Sequence, residues 1–160
     1  MIKKAIILFL FVWLLVLFQS LLAATFLPLN LLLVSLLVFI LRKSPVVWWL
    51  AIFGGAYLDL IYFSPGWHLG ILALTAWLLS WLSEIVSLRH FVSRLLLAMS
   101  GVLLALILAY FLVFIFRFLG AGRAGFWLSF SWSEALAYFI VNSLAVLIIL
   151  AIWRPRHQLG

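Results

Sequence analysis

The sequence predicts an all-α integral membrane protein: one bundle of about six transmembrane helices with short loops and both termini cytoplasmic. Three observations predict it. The first is composition: 70% of the 160 residues are apolar and 8% are charged, with a mean hydropathy of +1.42. A soluble domain carries about 25% charged residues and needs them to cover a water-facing surface. The second is segment length, since the apolar runs are long and continuous where a membrane barrel would show short alternating strands. The third is that the basic residues sit in the breaks between those runs, where they fix orientation. The net charge of +7 is therefore read as membrane orientation, and nucleic acid is not an expected partner. The absence of Cys excludes disulfides and thiolate chemistry.

Six apolar runs can be marked, at 5–25, 27–41, 46–63, 68–88, 95–116 and 133–153, and they leave no stretch polar enough for a soluble domain. Residues 1–160 are thus read as a single transmembrane domain. Four runs reach the ~20 residues that cross a bilayer and the third is near the lower limit. The second is short. Pro28 disfavours a continuous helix from the first run, and 15 residues make a rod of roughly 22 Å against a ~30 Å core. That helix must thin the bilayer, hide its end against neighbours, or stop short of crossing. Lys3, Lys4 and the stretch Ser20–Ala24 have the make-up of a signal peptide. The apolar run continues through Phe26 and Leu27, so the expectation is an uncleaved first helix.

Charge checks the number of crossings. With six, Lys3, Lys4, Arg42, Lys43, Arg89, Arg94, Arg154 and Arg156 fall on one side and only Arg117 and Arg123 on the other. This is the positive-inside pattern, and five crossings would scatter it. Trp48, Trp49, Trp67, Trp81, Trp127, Trp132 and Trp153 lie near run ends, where indoles anchor at headgroup level.

The few polar residues then sort by side. Asp59, Ser64, His68, Arg117, Arg123 and Glu134 are expected at the outer end, and Glu84 near the inner one. Asp59 is the most informative, because a carboxylate in an apolar helix usually faces a partner, a cavity or the bundle interior. Ala51, Gly55 and Asp59 share one helical face, so a neighbouring helix can approach closely with the acid at the seam. The plainer alternative is a carboxylate wetted by headgroups. An ion pair with Arg117 or Arg123 is one expected arrangement; a hydrogen bond to His68 is another, with His68 otherwise an interfacial residue of no special role. Arg117 can also reach water by snorkelling.

Reactive constellations are hard to find. His68, His90 and His157 are not at metal-ligand spacing, no Gly-x-Ser-x-Gly is present, and Gly120, Gly122 and Gly125 form a loose turn and not a phosphate loop. Asp59 and Glu134 could form a proton-carrying pair, but pump acids keep more polar company than this chain offers. No enzyme activity and no cofactor are expected. Packing surfaces are easier to see: Gly101, Ala105 and Ala109 recur at four-residue spacing, a smooth strip for internal packing or for a partner helix.

The segment Phe53–Gly70, with glycines Gly54 and Gly55, the acid Asp59, the turn Ser64, Pro65 and Gly66, then His68 and Gly70 ahead of an apolar helix, resembles the signature region of the MreD family. These are small rod-shape-determining membrane proteins of bacteria. The short second helix, the turn Arg42–Pro45 and the overall layout are also similar to that family. Many members carry Pro-Asp where this chain has Pro28, Leu29 and Asn30; there a charge has become a neutral group, although a capping role survives, since Asn caps as well as Asp. The resemblance implies a non-enzymatic scaffold of cell-wall elongation in the cytoplasmic (inner) membrane. It would sit with MreC, near the MreB filament and the glycosyltransferase–transpeptidase pair that builds peptidoglycan. The alternative is a substrate-capture component of a vitamin or metal transporter, which has a similar six-helix layout. Against it, the first helix lacks the small-residue docking pair and is bulky at Phe9, Phe11, Trp13 and Phe18.

Overall fold

Why the helices begin and end where they do is visible at their caps. The computed structural model describes residues 2–24, 29–62, 64, 66–86, 90–118 and 132–152. Among these it is all-helical: α1 Ile2–Ala24, α2 Leu31–Leu41, α3 Val46–Ile61, α4 Trp67–Ile85, α5 Phe91–Phe118 and α6 Trp132–Ile152. The second helix is shorter than the run 27–41 implied. Asn30 adopts an extended backbone (φ −103°) and its side chain accepts a hydrogen bond from the Leu33 amide at 3.0 Å, which sets the start of α2 at Leu31 and supplies one of the amides a helix start leaves without a partner.

At its other end α2 stops in a left-handed residue, Lys43 (φ 52°). The Lys43 amide donates to the Ile40 carbonyl at 2.8 Å and the Ser44 amide to the Phe39 carbonyl at 3.1 Å, the paired bonds of a Schellman cap. Pro45 (φ −64°) then opens α3. The fifth helix starts four residues before the expected 95, and α3 ends at Ile61, where Tyr62 takes the C-cap position.

The shortest helix is the hub. Among the described residues α2 packs on each of the other five, while α1, α3, α4, α5 and α6 follow one another around it, each against the next. Leu32, Leu33, Leu36 and Leu37 are buried to 1% exposure or less. A helix that is apolar on every side belongs in an interior, and α2 has that composition. Its 11 residues span about 16 Å, and every helix around it is longer.

The exterior is as apolar as the core. Leu60, Trp77, Trp81, Phe114 and Ile148 are all more than half exposed, a surface that a water-soluble monomer does not tolerate in such extent. Among the described residues three helices, Trp67–Ile85, Phe91–Leu112 and Trp132–Ile152, are long and apolar enough to cross a membrane. Among the expected anchors, Trp48, Trp49, Trp81 and Trp132 are exposed, with Trp49 stacked on Phe53. Trp67 is a correction: it is buried at 7% exposure in the first turn of α4, where it packs inward. Trp127 and Trp153 lie outside the described residues.

Candidate functional site

The α3–α4 hairpin concentrates the predicted residues in one corner, and Gly55 is why. A Cβ on Gly55 would lie 2.5 Å from the Leu69 Cα and 2.8 Å from its amide nitrogen, so α3 touches the backbone of α4 through a position where no other residue fits. One helical turn further on, that closeness puts the Asp59 carboxylate at the start of α4. Its Oδ1 accepts from the His68 amide at 2.9 Å and its Oδ2 from the Leu69 amide at 3.0 Å. Two of the amides that a helix N-terminus leaves open are thereby satisfied by a side chain of the preceding helix, and the negative charge sits at the favourable end of the α4 dipole.

The same carboxylate collects two side chains. The Ser64 hydroxyl donates to Oδ1, and His68 Nδ1 donates to it at 2.8 Å, which assigns the proton of the ring to Nδ1. Ser64 Oγ also lies 3.1 Å from that nitrogen, and Tyr62 leans over the ring with centroids 5.4 Å apart. Serine and carboxylate both address Nδ1, whereas a nucleophile triad needs them on opposite nitrogens of the imidazole. Gly66 closes the turn at φ 86°, the left-handed region that favours glycine.

Asp59 is buried at 8% exposure and His68 at 6%. Both side chains are turned into the bundle, and the Asp59–His68 hydrogen bond is one of the expected arrangements. Arg123 and the side chain of Arg117 lie outside the described residues, as does Pro65. Glu134 stands in the first turn of α6, exposed, where an acid suits the helix dipole.

The other predicted positions are structural in different degrees. Gly54 faces the Leu32 side chain, Gly70 faces open space, and Gly101 lies against the side-chain ends of Leu37 and Leu79. The strip of α5 is thus turned inward, with Ala105 buried. Ala105 and Ala109 line a narrow cleft of about 40 Å³ together with His68, Leu72, Asn30 and Tyr138.

The far wall of that cleft is a second polar cluster, which sequence reading largely missed. Gln19 of α1 donates through Nε2 to the Leu29 carbonyl at 2.9 Å and accepts from the Leu31 amide at 2.6 Å. The Asn30 amide donates to Asn142 Oδ1 at 2.7 Å, and Asn30 Nδ2 donates to the Tyr138 hydroxyl at 3.0 Å. Asn142 Nδ2 donates back to the Tyr138 carbonyl at 2.8 Å. Four neutral residues tie α1, the start of α2 and α6 together, the use that membrane helices make of isolated amides. The available signal was a lone Gln or Asn inside an apolar run. Among the described residues no group of three His, Asp or Glu could hold a metal ion.

The helical architecture, the apolar exterior and the buried polar cap mark the chain as a helical membrane protein. No family model, no curated protein and no solved structure matches it.

Proposed function

We propose that this chain is a non-enzymatic scaffold of the bacterial cell-elongation machinery, similar to the MreD family, in the cytoplasmic (inner) membrane. In this reading all six helices cross, α2 only with the help of its neighbours, and both termini are cytoplasmic. The eight-to-two split of basic residues supports that orientation. The observation that carries the functional reading is the role of the family-like segment. Gly55, Asp59, Ser64, Gly66 and the His68 backbone all serve to close one hairpin, so what the segment specifies is a rigid shape at one end of the bundle. A shape-determining segment fits a protein that works by holding partners. The partners proposed are MreC, and through it the MreB filament and the glycosyltransferase–transpeptidase pair.

The transporter alternative draws support from the cleft beside His68, Asn30 and Tyr138. At about 40 Å³ it falls far below the ~300 Å³ at which small-molecule pockets begin, and the scaffold reading is preferred. Affinity purification of the tagged chain from its native membrane in mild detergent tests the choice. Co-purification of MreC and wall-synthesis enzymes, lost in Asp59→Ala, is expected. Recovery of an ATPase and its membrane coupling subunit would replace the scaffold reading with the transporter one.

A further inference from the structure

The chain has 3 Asp and Glu side chains against 10 of Lys and Arg, and all three acids are among the described residues. Asp59 is engaged in the cap of α4. Glu134 opens α6, one turn before the Tyr138 that bonds Asn30, and so stands at the same end of the bundle. Of the acids only Glu84 is at the other end, where Arg42, Lys43 and Arg94 gather. We propose that these three cations hold the phosphate of one anionic membrane phospholipid, whose acyl chains lie on the exposed first turns of α5. This inference rests on the chain lying in a bilayer, as proposed above.

Packing puts the three at one level. A Cβ on Gly101 would meet the side-chain ends of Leu37 and Leu79 at 2.4 and 2.6 Å, so α2, α4 and α5 come together at that height. Toward the α2–α3 and α4–α5 turns, Arg42 and Glu84 lie about 7.5 Å beyond it and Arg94 about 10.5 Å, at 1.5 Å per residue. Lys43 is fixed beside Arg42 by the Schellman bonds of its turn. Arg42 and Lys43 are exposed and Arg94 is half-buried. Both arginines have interactions of their own, and a guanidinium with five N–H donors can add a phosphate oxygen to them. Glu84, exposed in the same layer, offsets one of the three charges. No residue outside the described ones is an acid that could offset the other two, so their counter-charge comes from outside the chain. The neighbouring surface selects a lipid over an acidic protein segment. Phe91, Val92 and Leu96, around Arg94 on α5, are 49%, 62% and 61% exposed. A phospholipid brings phosphate to the cations and hydrocarbon to these side chains in one molecule, whereas an acidic segment answers only the charge.

The test uses the full chain, delipidated in mild detergent and offered phosphatidylglycerol and phosphatidylcholine with the same acyl chains, with bound lipid read by native mass spectrometry. Retention of phosphatidylglycerol is expected to be greater by roughly tenfold or more. Arg42→Gln combined with Arg94→Gln should abolish that preference, at about fivefold per cation, with the melting temperature unchanged. Lys3→Gln combined with Lys4→Gln removes as much charge from α1, which among the described residues does not meet α5, and should leave the preference in place. Equal loss in the two double variants would mean that bulk charge attracts the lipid and overturns the proposal, as does equal retention of the two lipids by the unaltered chain. Displacement by glycerol 3-phosphate at equal concentration would make free phosphate the ligand and overturns it too. In native membranes a benzophenone side chain at position 96 should crosslink a phospholipid. Capture of a polypeptide and no lipid there overturns the proposal, whether or not the arginine variants fold. Carbonate extraction separates the two levels: a chain released from the membrane removes the bilayer reading itself, while a retained chain with no lipid preference removes only this inference.

Discussion

Two polar clusters face each other across the cleft, and they are built on opposite principles. On one side Asp59, Ser64 and His68 form a local, charged cap whose partners lie within ten residues of one another. On the other, Gln19, Asn30, Tyr138 and Asn142 form a neutral network in which the Asn30–Asn142 bond joins positions 112 residues apart. A buried carboxylate away from water is very costly unless several donors meet it, so it is served at once by the turn and helix that follow it. An amide carries no charge and is tolerated with fewer partners, so its partners can come from distant helices. The local cluster shapes one hairpin, and the distant one holds α1 and α6 to the start of α2.

If that contrast is right, the hairpin should be the more brittle of the two. The largest effect is expected at Gly55. A Gly55→Val side chain meets α4 backbone, and overpacking that cannot relax should cost about 3 kcal/mol or more, read as loss of the monodisperse species in detergent size-exclusion chromatography. Gly54→Ala meets only the flexible tip of Leu32, and about 1 kcal/mol is expected. A comparable loss at both glycines would show that backbone approach is not what distinguishes them. Next comes Asp59→Ala, which strands the His68 and Leu69 amides. About 2–3 kcal/mol is expected from two buried donors without acceptors, measured by thermal unfolding, with Asp59→Asn milder because its carbonyl can still accept from one of them.

The neutral cluster should yield less. Asn142→Leu removes the acceptor of the Asn30 amide, and bonds of this kind between membrane helices are worth about 1 kcal/mol. The expected readout is faster hydrogen exchange at the start of α2 with α3 and α4 unaffected. Protection lost across the whole bundle would mean that the two clusters unfold as one unit. Smallest of all are the two glycines that flank the first turn of α4. Gly66→Ala, at φ 86°, should cost about 1 kcal/mol. Gly70→Ala, which faces open space, should gain about 0.5–1 kcal/mol from better helix propensity. Equal effects at 66 and 70 would mean that the left-handed turn is not a constraint.

The local cluster was legible because helical periodicity is short-ranged. Ala51, Gly55 and Asp59 at four-residue spacing announce a close-packed face, and Ser64 and Gly66 announce a turn directly after it. The choice among partners was not legible. The hydrogen bond to His68 was one of several expected arrangements, and only the hairpin geometry set by Gly55 brings His68 Nδ1 to 2.8 Å. Trp67 shows the same limit, since a tryptophan next to a turn reads as an interface anchor until packing turns it inward. The cap at Asn30 could be anticipated from residue type, whereas its bonds to Tyr138 and Asn142 could not, because nothing in an apolar run records which distant helix it meets.

The sequence by itself determined the class and the helices. Hydrophobic content and run length act on each segment separately, and they fix helical structure and burial in apolar surroundings without reference to the rest of the chain. Tertiary structure decided the order around the hub. That α2 is the centre, that α5 turns Gly101 and Ala105 inward against Leu37 and Leu79, and that a groove remains between α5 and α6 all depend on which apolar surfaces fit one another. Leucine-rich faces are interchangeable in hydrophobicity and differ only in shape, and shape complementarity exists only once two helices are side by side.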